Sequence, residues 1–224
     1  MRYMKLLGLE MMVFAIGATV LFGQGNQEAA NLTREGIEAS KAKDWDKAIA
    51  AFKRAAQLEE RYAPNLASAL QQRAGVYVSQ QKFQEAIADY SEALKVKAKD
   101  PDIFERRAYA EMQLKDYDKA LHDYNEAIKL SPEEPKYYQV RAFIYQSKGD
   151  FKAAMADVDK TLKLDPNNQD AQQRKRFLDA KLHGAPTQEP MPSGPIPNPN
   201  VHPPAAATAT PANSVQPPRS AAKP

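Results

Sequence analysis

Phe104-Glu-Arg-Arg-Ala108, Asp116-Tyr-Asp-Lys-Ala120, Tyr124-Asn-Glu-Ala127 and Pro132 are followed by Tyr138-Gln-Val-Arg-Ala142, Asp150-Phe-Lys-Ala-Ala154, Val158 and Pro166. Each landmark of the first set returns in the second at one fixed offset: Phe104 as Tyr138, Ala108 as Ala142, Ala120 as Ala154, Pro132 as Pro166. Self-similarity at such a period marks stacked supersecondary units, none of which buries its apolar face alone. The apolar residues within each unit fall at helical spacing, and short polar turns such as Lys-Asp and Gly-Asp separate paired segments. The unit is therefore a helical hairpin, and the chain is a stack of hairpins rather than one globular core.

The frame extends towards the N-terminus. One period before Ala120 lies Ala86, with Phe83 before it and Tyr90 and Ala93 after it. A further step, longer by four, reaches Ala48, flanked by Trp45, Phe52 and Ala55. We place the four additional residues in the loop around Glu60 to Pro64. Four hairpins result, near 29–64, 67–100, 101–134 and 135–168. Residues 169–182 then read as a single capping helix with few apolar positions (Ala171, Phe177, Leu178, Ala180, Leu182), stopped by Gly184 and Pro186.

These landmarks resemble the tetratricopeptide repeat (TPR) pattern. Its small position 8 is Gly36, Ala74, Ala108 and Ala142, and its aromatic position 17 is Trp45, Phe83, Tyr117 and Phe151. Position 20 is Ala48, Ala86, Ala120 and Ala154; position 24 is Phe52, Tyr90, Tyr124 and Val158. Position 27 is Ala55, Ala93, Ala127 and Thr161, and position 32 is proline only at Pro132 and Pro166. The resemblance implies an all-α, right-handed α-solenoid of about four hairpins plus a C-terminal cap. Packing explains the residue types: small side chains let paired helices approach closely, and aromatics fill the space between neighbouring hairpins.

The ends differ in composition from the repeats. Residues 1–25 carry a basic head and an apolar run from Met11 to Gly23 without a charge. That run suits a signal-peptide core of about 7–15 residues better than a spanning helix of about 20, so residues 1–25 read as a signal peptide or an N-terminal membrane anchor. Either reading places the protein outside the cytoplasm or on a membrane, in a bacterial envelope, with membrane contact only through an uncleaved N-terminus. Residues 184–224 hold 12 of the 17 prolines. Such a segment buries too little apolar surface to offset its ordering entropy and reads as a disordered Pro/Ala-rich spacer.

Composition excludes several function classes. The chain has no cysteine, which removes thiolate catalysis, disulfides and Cys-ligated metals. Lys and Arg number 31 against 28 Asp and Glu, with no basic block, so nucleic acid is not expected. His122, His183 and His202 are too far apart in the frame to form a metal site or a triad. The pairs Asp44/Asp46 and Asp116/Asp118 begin helices, where carboxylates accept from unpaired backbone N–H groups. No enzyme activity, cofactor or metal is expected.

The TPR resemblance implies that the first helix of each hairpin lines a concave groove, through repeat positions 2, 5, 6, 9, 12 and 13. The candidate peptide-binding residues there are Arg34, Lys41, Gln72, Arg106, Tyr109, Lys136, Gln139 and Phe143. This mixture of aromatics, amides and cations suits an extended peptide held by side-chain hydrogen bonds and a few apolar anchors. The chaperone-tail carboxylate clamp of some TPR domains is absent: its places hold Thr33, Ile37, Gln72, Asp102 and Arg106 in one frame. In the other frame they hold Gln71, Gly75, Arg106, Lys136 and Val140. The sequence thus points to a non-enzymatic adaptor or scaffold binding a protein or peptide, with self-association or a structural envelope role as the alternative.

Overall fold

The structure, a computed structural model, describes residues 26–184 and 198–199. The N-terminal segment at 1–25 and the rest of the proline-rich tail lie outside the described residues. The described chain is all helix. It runs α1 (26–41), α2 (Trp45–Leu58), a 3-10 turn (Glu60–Tyr62), α3 (Ala63–Ser79), α4 (Phe83–Val96), α5 (Pro101–Gln113), α6 (Tyr117–Leu130), α7 (Pro135–Ser147), α8 (Phe151–Leu164) and α9 (Gln169–His183). No strand occurs among the described residues.

Each hairpin closes through one device. The C-terminal turns of α1, α3, α5 and α7 end on Lys43, Gln81, Lys115 and Gly149, all at positive φ. In α5 the Lys115 N–H donates to the Met112 carbonyl, and the Asp116 N–H reaches back to the Glu111 carbonyl. The same pair of bonds recurs as Gly149 to Gln146 and Asp150 to Tyr145. This left-handed cap satisfies carbonyls that the helix end leaves unpaired, and it reverses the chain within two residues. The next helix starts at once: Asp44, Asp116 and Asp150 cap α2, α6 and α8 through their side chains. The cap role expected of Asp44 and Asp116 is what the geometry gives.

The four-residue slip is resolved differently from the loop placed at Glu60–Pro64. Glu60–Tyr62 forms the 3-10 turn, and α3 begins at Ala63 with a proline in its first turn. Pro64 is suited to a helix start because its fixed φ is already helical and its missing N–H has no partner there anyway. The additional residues therefore lengthen α3, which has 17 residues against 13 in α5 and α7.

Packing follows the repeat landmarks. Ala48, Ala86, Ala120 and Ala154 are all fully buried, as are Ala55, Ala93 and Ala127. Thr161 takes the same place in α8, where its hydroxyl donates to the Asp157 carbonyl at 2.9 Å. That bond removes the cost of an unpaired hydroxyl in the core. Tyr90 and Tyr124 fill the gaps between hairpins, and Tyr124 meets Tyr137 with ring centroids 6.4 Å apart. Three apolar clusters succeed one another, from Ala39 to Ala110, from Ala108 to Ile144 and from Ala142 to Leu178. This is an all-α solenoid in which each hairpin is stabilised by its neighbours, closed by α9.

Helices α1 and α2 approach closely at Gly36. A Cβ there would stand 2.6 Å from Cε1 of Phe52, whose ring is itself buried. Gly36→Ala therefore has to displace a packed aromatic, and overpacking of this kind costs roughly 1–3 kcal/mol. Urea unfolding should show a lower midpoint with an unchanged slope; an unchanged midpoint would mean that α1 and α2 are not held this close.

Candidate interaction groove

Helices α5, α7 and α9 are tied together side chain to side chain. Lys136 of α7 places its ammonium 2.6 Å from a carboxylate oxygen of Glu105 on α5. Gln139 of α7 donates to Asp170 of α9 at 3.2 Å, and Asn168 donates back to Gln139. Arg174 of α9 donates to Gln146 of α7 at 2.7 Å and lies over the Phe143 ring at 5.5 Å. Adjacent helices on this face are thus cross-linked by polar contacts at each step from α5 to α9.

The candidate residues fall into two groups on that face. Arg34, Lys41 and Gln72 are exposed, whereas Arg106, Tyr109, Lys136, Gln139 and Phe143 are half-buried. Lys41 pairs with Glu38 one turn earlier on its own helix. Lys136 and Gln139 hold the intramolecular contacts just described, so part of their polar capacity is already committed to the stack. Arg106 hydrogen-bonds Tyr90, and burial pushes the Tyr90 hydroxyl up to about 12. Tyr109 and Phe143 leave aromatic surface at the middle of the face.

Two charged groups on this face are unusual. Glu105 is buried, and desolvation raises its pKa against the pull of Lys136. Arg174 is almost wholly buried, its Nε has no hydrogen-bond partner, and burial lowers its pKa. The Phe143 ring beneath its guanidinium supplies part of the stabilisation that water would give. Ile37, exposed on α1, extends the apolar character towards the N-terminal end.

Behind this face runs a ladder that sequence reading missed. Arg73, Arg107 and Arg141 each fork onto an aspartate in the following helix, Asp89, Asp123 and Asp157, with all six N···O distances between 2.7 and 2.8 Å. The third guanidinium nitrogen reaches back to the preceding hairpin, to Asp46, Ser91 and Asn125 respectively. Lys175 continues the series on α9, pairing with Asp159 at 2.6 Å. Two parallel N–H···O bonds per pair fix orientation as well as energy. A signal for the ladder is present in the sequence, since the arginines and the aspartates each recur at the repeat period.

One rung is different. Tyr77 and Tyr145 lie beneath Arg73 and Arg141, but the equivalent residue below Arg107 is Glu111. Glu111 is buried, and one of its oxygens has no hydrogen-bond partner. Burial, then the nearby Asp123 charge, pushes its carboxyl up to about 8. Arg107 is already spent on Asp123, so one guanidinium faces two carboxylates and the less well placed one takes a proton.

The remaining candidates do not converge. His122 is exposed, and its sequence neighbour Asp123 is bound to Arg107. The His183 ring contacts the Asp179 carbonyl, and His202 lies outside the described residues. Asp46 and Asp118 pair with Arg73 and Lys148. Among the described residues no cluster of metal-ligating side chains occurs, and no helix is long and apolar enough to cross a membrane.

Comparison with known proteins locates the resemblance. Two tetratricopeptide repeat family models match, one over residues 72–135 and one over 106–179. No curated protein matches the chain. Among solved structures, the first TPR of Spaghetti (RPAP3) bound to the HSP90 peptide SRMEEVD is 28% identical, with a TM-score of 0.50. That match covers 52% of this chain and 93% of the other. A tetratricopeptide repeat protein from Parabacteroides merdae is 26% identical with a TM-score of 0.55, covering 70% of this chain and 61% of that one. The MamA protein, 18% identical with a TM-score of 0.54 over 71% of this chain and 84% of its own, shares the fold.

Proposed function

The chain is a tetratricopeptide repeat protein, and from that premise we propose that it is a non-enzymatic adaptor whose concave odd-helix groove binds an extended peptide or protein segment. The observation that carries this reading is the centre of the groove. There Tyr109 and Phe143 keep half-exposed aromatic surface, flanked by amide and guanidinium donors on helices locked together from behind. A rigid scaffold presenting aromatic anchors among hydrogen-bonding groups binds peptides without a large ordering cost on its own side. A structurally similar domain holds a peptide, which supports the use of the surface. The carboxylate-clamp side chains are not at their places here, so the ligand chemistry differs. Residues 1–25 supply export or a membrane tether in this reading, and the proline-rich tail supplies reach in the bacterial envelope.

Affinity purification from the native host tests the reading. The variant Arg34→Ala/Gln72→Ala/Tyr109→Ala/Phe143→Ala should stay folded by circular dichroism and lose at least tenfold in captured partner, about 1.4 kcal/mol. Equal capture by parent and variant, with both folded, would overturn the groove assignment. A particle size that grows with concentration in light scattering, together with unchanged capture, would instead favour a self-assembling spacer.

A further inference from the structure

We propose that α9 is a latch over the C-terminal end of the groove, holding Gln139 and Phe143 of α7 in the resting chain and opening to surrender them to a partner. The proposal rests on the groove being the binding surface, and it adds how access to that surface is regulated.

Three side chains at the start of α9 engage α7. The Gln139 amide donates to Asp170 at 3.2 Å and its carbonyl accepts from Asn168 at 3.5 Å, so both of its polar ends are taken. Arg174 stands over the Phe143 ring and donates to Gln146 at 2.7 Å. A peptide that is to use Gln139 or Phe143 therefore competes with α9 for them.

α9 makes these contacts against an opposing force. Arg174 is 2% exposed, and its Nε has no hydrogen-bond partner. Among the described residues no carboxylate pairs with it; Asp170, one turn earlier, acts on it only at a distance and is itself engaged by Gln139. The ladder arginines differ, since each forks onto an aspartate. A buried cation without an anion is strongly unfavourable, and it regains its hydration once the helix carrying it lifts away. The apolar seam that holds α9 down is small. α9 buries Ala171, Phe177 and Leu178, whereas α7 buries Tyr137, Tyr138, Val140, Ala142 and Ile144. The last helix of a linear stack, with few buried apolar residues, is where partial opening needs least free energy. The charge is not a requirement of the packing: one repeat earlier the same place on α7 holds Val140, which is also buried. A partner that needs α9 open then binds with an apparent affinity scaled by the open fraction.

Thiol labelling of the full chain, which has no cysteine of its own, tests this. Ala171→Cys, in the seam between α8 and α9, reports opening of α9. Ala127→Cys, fully buried in the central cluster, reports unfolding of the stack. With N-ethylmaleimide, position 171 should react at least about tenfold faster than position 127. Arg174→Met should slow the reaction at 171 by about tenfold and leave 127 unchanged, whereas Leu178→Ala should speed it by a similar factor. Amide exchange of α9 in chains without the thiol should follow the same order. Arg174→Met should also lower, and Leu178→Ala raise, the partner captured from the native host at limiting concentration. Equal reaction at 171 and 127, or faster reaction in Arg174→Met, would overturn the latch: α9 would then open only with the stack, or be held down by its cation. Labelling in the expected order with unchanged capture would also overturn it, and the groove reading would stand if capture still depended on Tyr109 and Phe143. Capture that no longer depended on those two side chains would remove the groove reading, and the latch with it.

Discussion

Asp123→Ala is expected to lower the unfolding free energy of the stack by about 3–5 kcal/mol, the cost of leaving a buried charge without its partner. Asp123 is 1% exposed and accepts both forked bonds from Arg107. Removing it strands a half-buried guanidinium between α4, α5 and α6, with Ser91 as its remaining close contact besides Glu111 nearby. In a linear array each hairpin is stabilised by its neighbours, so a weakened central rung uncouples the two halves. Urea unfolding should show a lower midpoint and a broader transition. The double variant Arg107→Leu/Asp123→Leu should lose less than Asp123→Ala alone, since it removes both charges together. A loss below about 1 kcal/mol for the single variant, typical of exposed pairs, would mean that the ladder is a surface feature.

Glu111→Gln is expected to have the opposite sign. In the folded protein the Glu111 carboxyl is pushed up to about 8, from an ordinary value of 4.5. Between those values the folded state holds a proton that the unfolded chain has released. Stability contributed by this group is therefore fully present below pH 4.5 and is lost as pH rises towards 8. Glutamine keeps the shape and removes the titration. With screening from partial solvent access discounted, the gain at pH 7.5 should be roughly 1–3 kcal/mol, and it should vanish near pH 4.5. Melting temperatures of parent and variant across pH 4.5–8 check this: the two curves should diverge as pH rises. Parallel curves would mean that Glu111 is ionised in the fold at no cost.

Both variants concern a layer that sequence reading passed over, and the reason is physical. The repeat period, the series Ala48, Ala86, Ala120 and Ala154, and the aromatics at Phe52, Tyr90 and Tyr124 were legible because close packing restricts those places to few side chains. Gly184 as a stop and Asp44 and Asp116 as caps were legible for a similar local reason. The Arg73, Arg107 and Arg141 series was equally periodic, but charged residues on helices ordinarily face water, and only the fold shows that these are enclosed. The extension of α3 through Pro64 was hidden because a proline marks a loop and a helix start equally well. The groove candidates come from the repeat frame, which says nothing of the contacts each side chain makes. Nothing in Lys136 or Gln139 alone announces that Glu105 and Asp170 engage them across neighbouring helices.

In the proposed function the ladder and the alanine seams hold the stack while the odd helices receive the ligand. Amide hydrogen exchange on the parent protein, alone and with its captured partner bound, tests this most directly. With the partner bound, exchange should slow on α3, α5 and α7 around Gln72, Tyr109 and Phe143. Protection confined to α4, α6 and α8, with those three sites unchanged, would contradict it.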